Sequence, residues 1–496
     1  MLGKSFRSSR RRHFLPRVLL ASSVLVVLVT SPAPSPAQSV TKRPGSPRPD
    51  VTRPVAPHPA DAAPPAAAGS SGPVDYESQH FLLHTDMSPK EAQELLKKLE
   101  TMISGISKYW GRPPAGVIEC NVVKDLSRWP VGRLDPEGVA KIQEEAGVTL
   151  TQTLTLGGQK VAAKAVVYAV AKSGVAQHEA VHAYCGQSFG TCGPLWYAEG
   201  MAELGQYWRV GERASETSVQ IHPIVLQYLQ TARPQTLNDI VNTHSAQSFT
   251  GDSWQNYAWR WALCHLLEHN TNYHDRFRPL GLGFLTEQKV SFEETYGAMA
   301  KEISFEYLFF VSHIEQGFRV DLCSWDWKKK FKVLLDRTPM TVRVAAGRGW
   351  QPSGATVRAG KEYEYSAAGT WQTGKDKSEV TADGDAEGAG RLIGVLLSDF
   401  ALGEPFALGQ YGKFTAPEDG QLFLRCQSKW GQIGDNKGGI TVKLKPAGQG
   451  DPLPVPPGAA KKASADDGGQ TAKVWPDKTQ KSRPTAQKPA PADAAN

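Results

Sequence analysis

The chain has 496 residues, which is room for two or three domains, and a formal net charge of +7. Residues 1–75 contain ten Lys and Arg against three Asp, so this segment carries the whole excess. The remaining residues are neutral, which argues against a nucleic-acid-binding protein because such a protein needs a concentrated basic face.

An N-terminal targeting segment explains the basic excess. SFRSSRRRHFLPR (5–17) is basic, VLLASSVLVVLV (18–29) is apolar, and SPA (35–37) places small residues before a cleavage after Ala37. We therefore expect a signal peptide over 1–37 and an exported protein, at the periplasm, cell surface or outside the cell. RRHFL (11–15) resembles the twin-arginine export signal, and an ordinary Arg-rich secretory signal is the alternative. We expect no transmembrane span in the mature chain, since the apolar run falls short of about 20 residues.

Composition and periodicity divide the chain after residue 37 into segments of different character. Residues 38–74 and 448–496 are rich in Pro and Ala, which predicts a disordered linker and tail. Between them, residues 75–335 predict an α+β domain. Strand-like runs occur at 76–86, 116–125 and 164–170, a capping box at 88–91 opens a helix, and helical patterns follow at 173–188, 195–209, 253–269 and 303–316.

From residue 340 short strands alternate with Gly-rich turns, as in MTVRVAAG, EYEYSAAG and GGITVKLK. This pattern predicts an all-β sandwich, jelly-roll-like, over 336–447. The predicted fold class is therefore multidomain, with an α+β domain followed by a β-sandwich.

The six cysteines leave two interpretations open. An even number of cysteines in an exported protein suggests disulfides, and Cys185 with Cys192 is the local candidate pair. Free buried thiols are the competing interpretation.

The phrase HEAVH (178–182) carries the clearest chemistry. On a helix, His178 and His182 project from one face, and two neutral imidazoles suit Zn²⁺. Glu179, beside them, is placed to take a proton from a metal-activated water.

WYAEG (196–200) lies on the next predicted helix, after the break at Gly193 and Pro194. HExxH, a turn and a helix with W-x-x-E-G-x-A resemble the gluzincin metallopeptidases, and the resemblance implies Glu199 as the third zinc ligand. Glu203, one turn later, is the competing candidate, or it orients a ligand histidine from outside.

Three further residues are candidates for stabilising the oxyanion that forms in peptide hydrolysis: Tyr257, His265 and Tyr197. The preferred candidate is Tyr257. Core packing is the alternative for all three. HLLEH (265–269) formally matches an inverted zinc motif, but no partner phrase follows it, and we interpret it as a helix end.

Residues 76–320 resemble the peptidase MA-like group of exported proteins, through HFLLHTDMSPKEAQELLKKLE, HEAVHAY, LWYAEGMAEL and SWQNYAWRWALCHLLE. The resemblance implies a zincin-like fold, bound Zn²⁺ and a peptide or protein substrate. It leaves endopeptidase and exopeptidase activity open.

The stretch GQLFLRCQSKWGQIGDNKGGITVKL (420–444) resembles the galactophilic PA-IL-like lectin sandwich, whose turn binds Ca²⁺ that bridges sugar hydroxyls. Asp435 and Asn436 fall on two ligand positions. Ser428, Gln432 and Thr373 replace the family's Asp, Thr and Tyr, which implies weakened or lost Ca²⁺ binding. Surface carbohydrate is accordingly a secondary candidate partner.

The sequence thus favours an exported zinc metallopeptidase of gluzincin type. The alternative is a non-catalytic surface binding or adhesion protein with a degenerate peptidase scaffold and a carbohydrate-binding-like sandwich.

Overall fold

The computed structural model describes residues 22–26, 72–156, 159–172, 174–206, 217–242, 254–335 and 337–459. The predicted signal peptide and linker lie outside these residues, apart from 22–26 and 72–74. Among the described residues, no helix combines the length and the hydropathy that a membrane crossing requires.

The first half of the chain is built on a six-stranded mixed sheet in the order β1-β5-β6-β4-β3-β2. Strands β3, β4 and β6 run parallel, while β2 and β5 are antiparallel to their neighbours β3 and β6, and β1 pairs in parallel with β5. The strands are β1 (Ser22–Val26), β2 (Val74–Glu77), β3 (Phe81–Thr85), β4 (Ile118–Val123), β5 (Gly147–Leu156) and β6 (Gln159–Val170).

Helix α1 (Pro89–Trp110) begins as the sequence predicts. The Ser88 hydroxyl accepts from the Glu91 backbone N–H, and the Glu91 carboxylate accepts from the Ser88 backbone N–H at 2.9 Å. This capping box provides hydrogen-bond partners for two backbone N–H groups that have none within the helix. The apolar face of α1 is buried with Phe81 and Leu83 of the sheet, which fixes the helix against β3.

Ten further α-helices lie in the described residues between 136 and 323. The predicted patterns at 173–188, 195–209, 253–269 and 303–316 correspond to α3, α4, α7 and α10. The helices are α2 (Pro136–Gln143), α3 (Val175–Phe189), α4 (Leu195–Gln206), α5 (Pro223–Thr231), α6 (Leu237–Val241), α7 (Trp254–His269), α8 (His274–Leu285), α9 (Phe292–Tyr296), α10 (Ala300–Ser312) and α11 (Val320–Cys323).

Residues beyond 331 form a β-sandwich, which confirms the predicted change of architecture. One sheet has the order β14-β10-β16-β8, the other β12-β11-β15-β9-β7 with β13 beside β11, and side chains of both share one core. The strands are β7 (Lys332–Val333), β8 (Met340–Ala345), β9 (Gln351–Val357), β10 (Glu362–Gln372), β11 (Leu392–Ser398), β12 (Ala401–Leu402), β13 (Phe406–Ala407), β14 (Tyr411–Thr415), β15 (Gly420–Cys426) and β16 (Lys437–Pro446).

The first residues of the predicted disordered tail are packed on the sandwich. Leu453 is buried, and the Pro454 carbonyl accepts from the Ser366 hydroxyl at 2.5 Å. The buried Lys445 ammonium donates to the carbonyls of Gln449 and Asp451. A Pro-rich composition therefore does not exclude order where a neighbouring sheet supplies donors and an apolar surface.

The helical part and the sandwich share buried contacts. Phe309 of α10 and Trp325 pack in one cluster with Phe423 of the sandwich. Beside them, the buried Glu306 carboxylate accepts from the Trp327 indole N–H at 2.7 Å and the Tyr273 hydroxyl at 2.8 Å. These contacts hold the segment that leads into the sandwich against α10.

Gly200 sets how closely α4 approaches α7. A Cβ at this position would overlap the Cys264 sulfur and lie 2.8 Å from the Arg260 carbonyl oxygen. The absence of a side chain therefore lets the backbone of α4 lie directly on α7.

Gly200→Ala is expected to destabilise the protein by about 1–3 kcal/mol, because overpacking outweighs the gain of about 0.5–1 kcal/mol that Ala brings to a helix interior. Chemical denaturation of the variant checks this. Gly116→Ala is the control, since a Cβ there meets no atom within 4 Å. A Gly200→Ala protein as stable as wild type would refute the close-approach argument.

Candidate metal centre

Helix α3 carries HEAVH and is buried around almost its whole circumference. His178, Glu179 and His182 are each 2% exposed or less. Such a helix belongs in the interior, and α3 packs against β5, β6 and α4. It ends at Phe189, and the left-handed backbone of the following Gly190 turns the chain towards α4.

The turn after α3 brings α4 back beside it. The Pro194 carbonyl accepts from the backbone N–H groups of Tyr197 and Ala198, which starts α4. Glu199 Oε2 then lies 3.2 Å from His178 Nε2 and 3.6 Å from His182 Nε2. The two Nε2 atoms are 3.2 Å apart. The structure thus brings together the three residues that the sequence predicts as ligands.

These distances fit a tetrahedral ion. Zinc bonds of about 2.0–2.1 Å at tetrahedral angles place ligand atoms about 3.3 Å apart. The three observed separations, 3.2, 3.2 and 3.6 Å, bracket that value. Two imidazoles and one carboxylate are also a ligand set that zinc uses when a fourth position remains for water. Among the residues that the structure describes, this is the one His/Cys/Asp/Glu group able to hold a metal.

Glu203 lies on the other side of His178. Its Oε1 is 3.1 Å from His178 Nδ1, while Nε2 faces His182 and Glu199. A carboxylate on the outer ring nitrogen fixes the tautomer and the orientation of a ligand histidine. This position suits the orienting role rather than the ligand role for Glu203.

Glu179 is held by strand β5. Its Oε2 accepts from the Thr149 hydroxyl at 2.9 Å, and the same hydroxyl lies 2.8 Å from the Glu179 carbonyl oxygen. Gly147 leaves room for this arrangement, because a Cβ there would be 2.7 Å from Glu179 Cγ. The other carboxylate oxygen, Oε1, is buried with no hydrogen-bond partner among the described residues. A buried acceptor without a partner is costly unless a water or substrate group meets it.

Sequence reasoning missed Thr149. Its contact with Glu179 depends on the register of the β5–β6 hairpin, which no sequence motif indicates.

The electrostatics of the cluster are those of a buried anion between two imidazoles. Burial lowers the pKa of His178, but hydrogen bonds to Glu199 and Glu203 outweigh it and raise the pKa to about 9. Burial also lowers the pKa of His182, but the charge of Glu199 outweighs burial and raises this pKa well above its usual value. Burial raises the pKa of Glu199, but the two histidines bring it far below the usual range. Burial raises the pKa of Glu179, so this carboxylate is the better proton acceptor.

The three candidates for oxyanion stabilisation lie in different surroundings. The Tyr257 ring is buried 5.8 Å from the His178 ring, at the site. Tyr197 instead accepts from the Trp110 indole at 3.1 Å and packs against Phe284, as a core residue does. His265 stacks on Trp261, in an aromatic cluster.

The HLLEH phrase does not form a metal-binding group in the described part of the chain. Glu268 accepts from the Tyr109 hydroxyl at 2.6 Å, and α7 ends at His269. Its residues hold α1 and α7 together, in agreement with the interpretation as a helix end.

Cys185 and Cys192 are free thiols whose side chains interact with each other. Cys192 lies in the turn between α3 and α4, and its Sγ is 3.6 Å from the His182 carbonyl oxygen. The side chains of Cys192 and His182 are also hydrogen-bonded. The pair therefore adjoins the metal-binding group directly.

Asp435 and Asn436, the two residues at predicted calcium positions, directly precede β16, and the Asn436 Oδ1 atom is buried with no hydrogen-bond partner among the described residues. The Asn436 amide donates to the Ser428 hydroxyl at 2.9 Å and to a backbone carbonyl, and Asp435 lies 3.9 Å from the Lys375 ammonium. The turn also docks on the helical part. Trp430 packs 5.2 Å from the Phe309 ring, and Gly431 N–H donates to a carboxylate of the helical part.

Comparison with known proteins adds little to this picture. No protein-family model matches the chain, and no curated protein matches it. Among solved structures, the chain is similar to one described as "EclA N-terminal domain; PllA-like lectin", at 20% identity and a TM-score of 0.19. The match covers 22% of this chain and 95% of that chain. A likeness at this level supports no conclusion about function.

Glu203→Ala is expected to weaken zinc binding by about ten- to a hundredfold while leaving a single site, because only the orientation of His178 is lost. Competition with a chelator on the full chain measures this. Glu268→Gln, in the HLLEH phrase, is the control and should bind zinc as wild type does. Complete loss of zinc in Glu203→Ala, with binding retained in Glu199→Ala, would exchange the roles of the two carboxylates.

Proposed function

We propose that this protein is an exported zinc-dependent metallopeptidase of the gluzincin type. The supporting observation is the buried group of His178, His182 and Glu199, at ligand separations that suit zinc, with the carboxylate of Glu179 beside it. A binding scaffold without catalysis would have no need for this fourth, buried acidic group.

The three ligand residues would hold the ion, and Glu203 would keep His178 in the tautomer whose Nε2 is free. When bound, zinc supplies a Lewis acid and lowers the pKa of a coordinated water to about 7. The imidazoles contribute no charge and Glu199 contributes one negative charge, so the ion together with its three ligands would keep a net positive charge for that chemistry.

Glu179 acts as the general base in this proposal. Thr149 fixes Oε2 at 2.9 Å, which leaves the unpartnered Oε1 to receive the proton of the attacking water. The protonated Glu179 then delivers the proton to the leaving amine nitrogen. The raised pKa of Glu179 supports both steps, because the group must hold the proton between them.

Tyr257 is proposed to stabilise the developing oxyanion with its hydroxyl. The packing of its ring beside the His178 ring supports this role. A preorganised donor in a buried site is worth about 10²–10³ in kcat.

The substrate is proposed to be a peptide in extended conformation. Strand β5 holds Glu179 through Thr149. Among the described residues, β5 pairs on one side only with Ser22–Val26, which belongs to the predicted signal peptide, so β5 would be the edge strand without that segment. Cleavage of residues 1–37 on export would free this edge. A substrate backbone could then pair with β5 and pass beside the metal-binding group, as strands add to exposed edges.

The sandwich is proposed to support the peptidase part. Its turn at Trp430 and Gly431 is engaged by α10 and the segment after it, so this turn is committed to an internal contact. This favours the peptidase over the adhesion alternative, which needs that turn free for a sugar.

Glu179→Gln is expected to lower peptide hydrolysis by at least about a hundredfold, because the amide cannot accept the proton. The change conserves size and leaves the three ligand residues in place, so the zinc content should stay at about one per chain. Cleavage of a complex peptide mixture by the full chain, followed by mass spectrometry, measures the activity.

Tyr257→Phe provides a graded comparison in the same assay. It should keep the metal and lower kcat with little change in KM, since only the oxyanion donor is lost. Wild-type protein that contains zinc but cleaves no peptide, or Glu179→Gln protein that cleaves at the wild-type rate, would contradict the proposal.

A further inference from the structure

Two cysteines adjoin the metal-binding group without being part of it. Cys185 lies on α3, three residues after His182, and is 4% exposed, while Cys192 lies in the following turn and is more accessible. Their side chains interact with each other. The other four cysteines are buried elsewhere in the two cores.

Cys192 has the same relation to His182 as Glu203 has to His178, because each contacts its histidine from outside the metal-binding group. The Nε2 atom of His182 faces His178 at 3.2 Å, so the nitrogen that remains for Cys192 is Nδ1. A thiol sulfur can accept from a ring N–H while its S–H donates to a carbonyl oxygen. Cys192 has both partners at hand, since its Sγ also lies 3.6 Å from the His182 carbonyl oxygen. Each histidine thus has an outer partner, and one of the two is a thiol.

We propose that Cys185 and Cys192 form a thiol–disulfide pair that controls metal retention, with Cys192 as the positioning residue for His182 in the dithiol form. This inference rests on the proposed function, because it assumes that the group binds zinc. Cys185 lies one turn after His182 on α3, and Cys192 Sγ lies 3.6 Å from the His182 carbonyl oxygen, so a bond between the sulfurs acts on this ligand with little intervening structure.

The chemistry is thiol–disulfide exchange with a small-molecule disulfide, and it balances. The more accessible Cys192 loses its proton, attacks the reagent and releases one reagent thiol. Cys185, after losing its proton, attacks the Cys192 sulfur of the mixed disulfide and releases the second reagent thiol. The protein loses two protons and two electrons, which reduce the reagent disulfide to two thiols.

The new bond removes the contact with His182. Cys192 no longer has an S–H to donate to the His182 carbonyl, and its sulfur is drawn towards Cys185 and away from the imidazole. Loss of such an outer partner lowers metal affinity by about ten- to a hundredfold. The oxidised form is therefore expected to release zinc more readily than the dithiol form.

The test measures zinc affinity of the full chain by chelator competition, after reduction and after treatment with glutathione disulfide. Peptide mapping by mass spectrometry reports the bond between Cys185 and Cys192 independently of the metal. Wild type should form this bond and bind zinc about ten- to a hundredfold more weakly. Cys192→Ser should show the same zinc affinity under both treatments, because the thiol that attacks the reagent is absent.

Cys426→Ser, in the sandwich, is the matched control and should respond to the oxidant as wild type does. Oxidised wild type that carries the mapped disulfide but binds zinc as tightly as the reduced form would overturn the inference, as would failure of the bond to form. Reduced wild type that takes up no zinc would instead defeat the proposed function itself. The mapping and affinity measurements therefore distinguish the two failures.

Discussion

The contact between Glu199 and the two histidines is the interaction on which the rest of the structure depends. A carboxylate that is 1% exposed needs compensation, and its partners are Nε2 atoms 3.2 and 3.6 Å away on the neighbouring helix. Removing one partner of such a buried group typically costs about 3–5 kcal/mol, since it leaves a charge uncompensated. The helices α3 and α4 must therefore keep their mutual position for the chain to remain folded.

The surrounding packing serves this constraint. Gly200 allows α4 to lie on α7, and Gly147 allows β5 to approach Glu179. Thr149 then holds the base Glu179, and Glu203 holds the imidazole of His178. The site is held by a strand and two helices rather than by loops, and rigid elements position catalytic groups more accurately.

The sequence predicts the parts of this site that depend on local periodicity. His178 and His182 share a helix face because they are four residues apart, and the break before α4 indicates an antiparallel return for Glu199. The sequence could not assign Glu203 to the outer nitrogen, because Glu199 and Glu203 differ by one helical turn and only the tertiary packing decides between them. Thr149 was unpredictable for a similar reason, since it meets Glu179 across 30 residues of chain.

In the sandwich, too, the sequence predicts the local elements but not the contacts between distant parts of the chain. Its strands and turns follow from alternation and glycine spacing, but the contact of Trp430 with α10 joins residues far apart in sequence. The order of residues 449–459 depends on donors from the neighbouring sheet, so composition alone predicts a disordered tail there.

The most direct test is the metal content of the purified full chain, measured by mass spectrometry for wild type, His178→Ala and Glu199→Ala. Each variant is first examined by circular dichroism, so that loss of fold is not mistaken for loss of a ligand. The account predicts about one zinc per wild-type chain and little in either variant. Wild-type protein that remains free of zinc after zinc is supplied would contradict it.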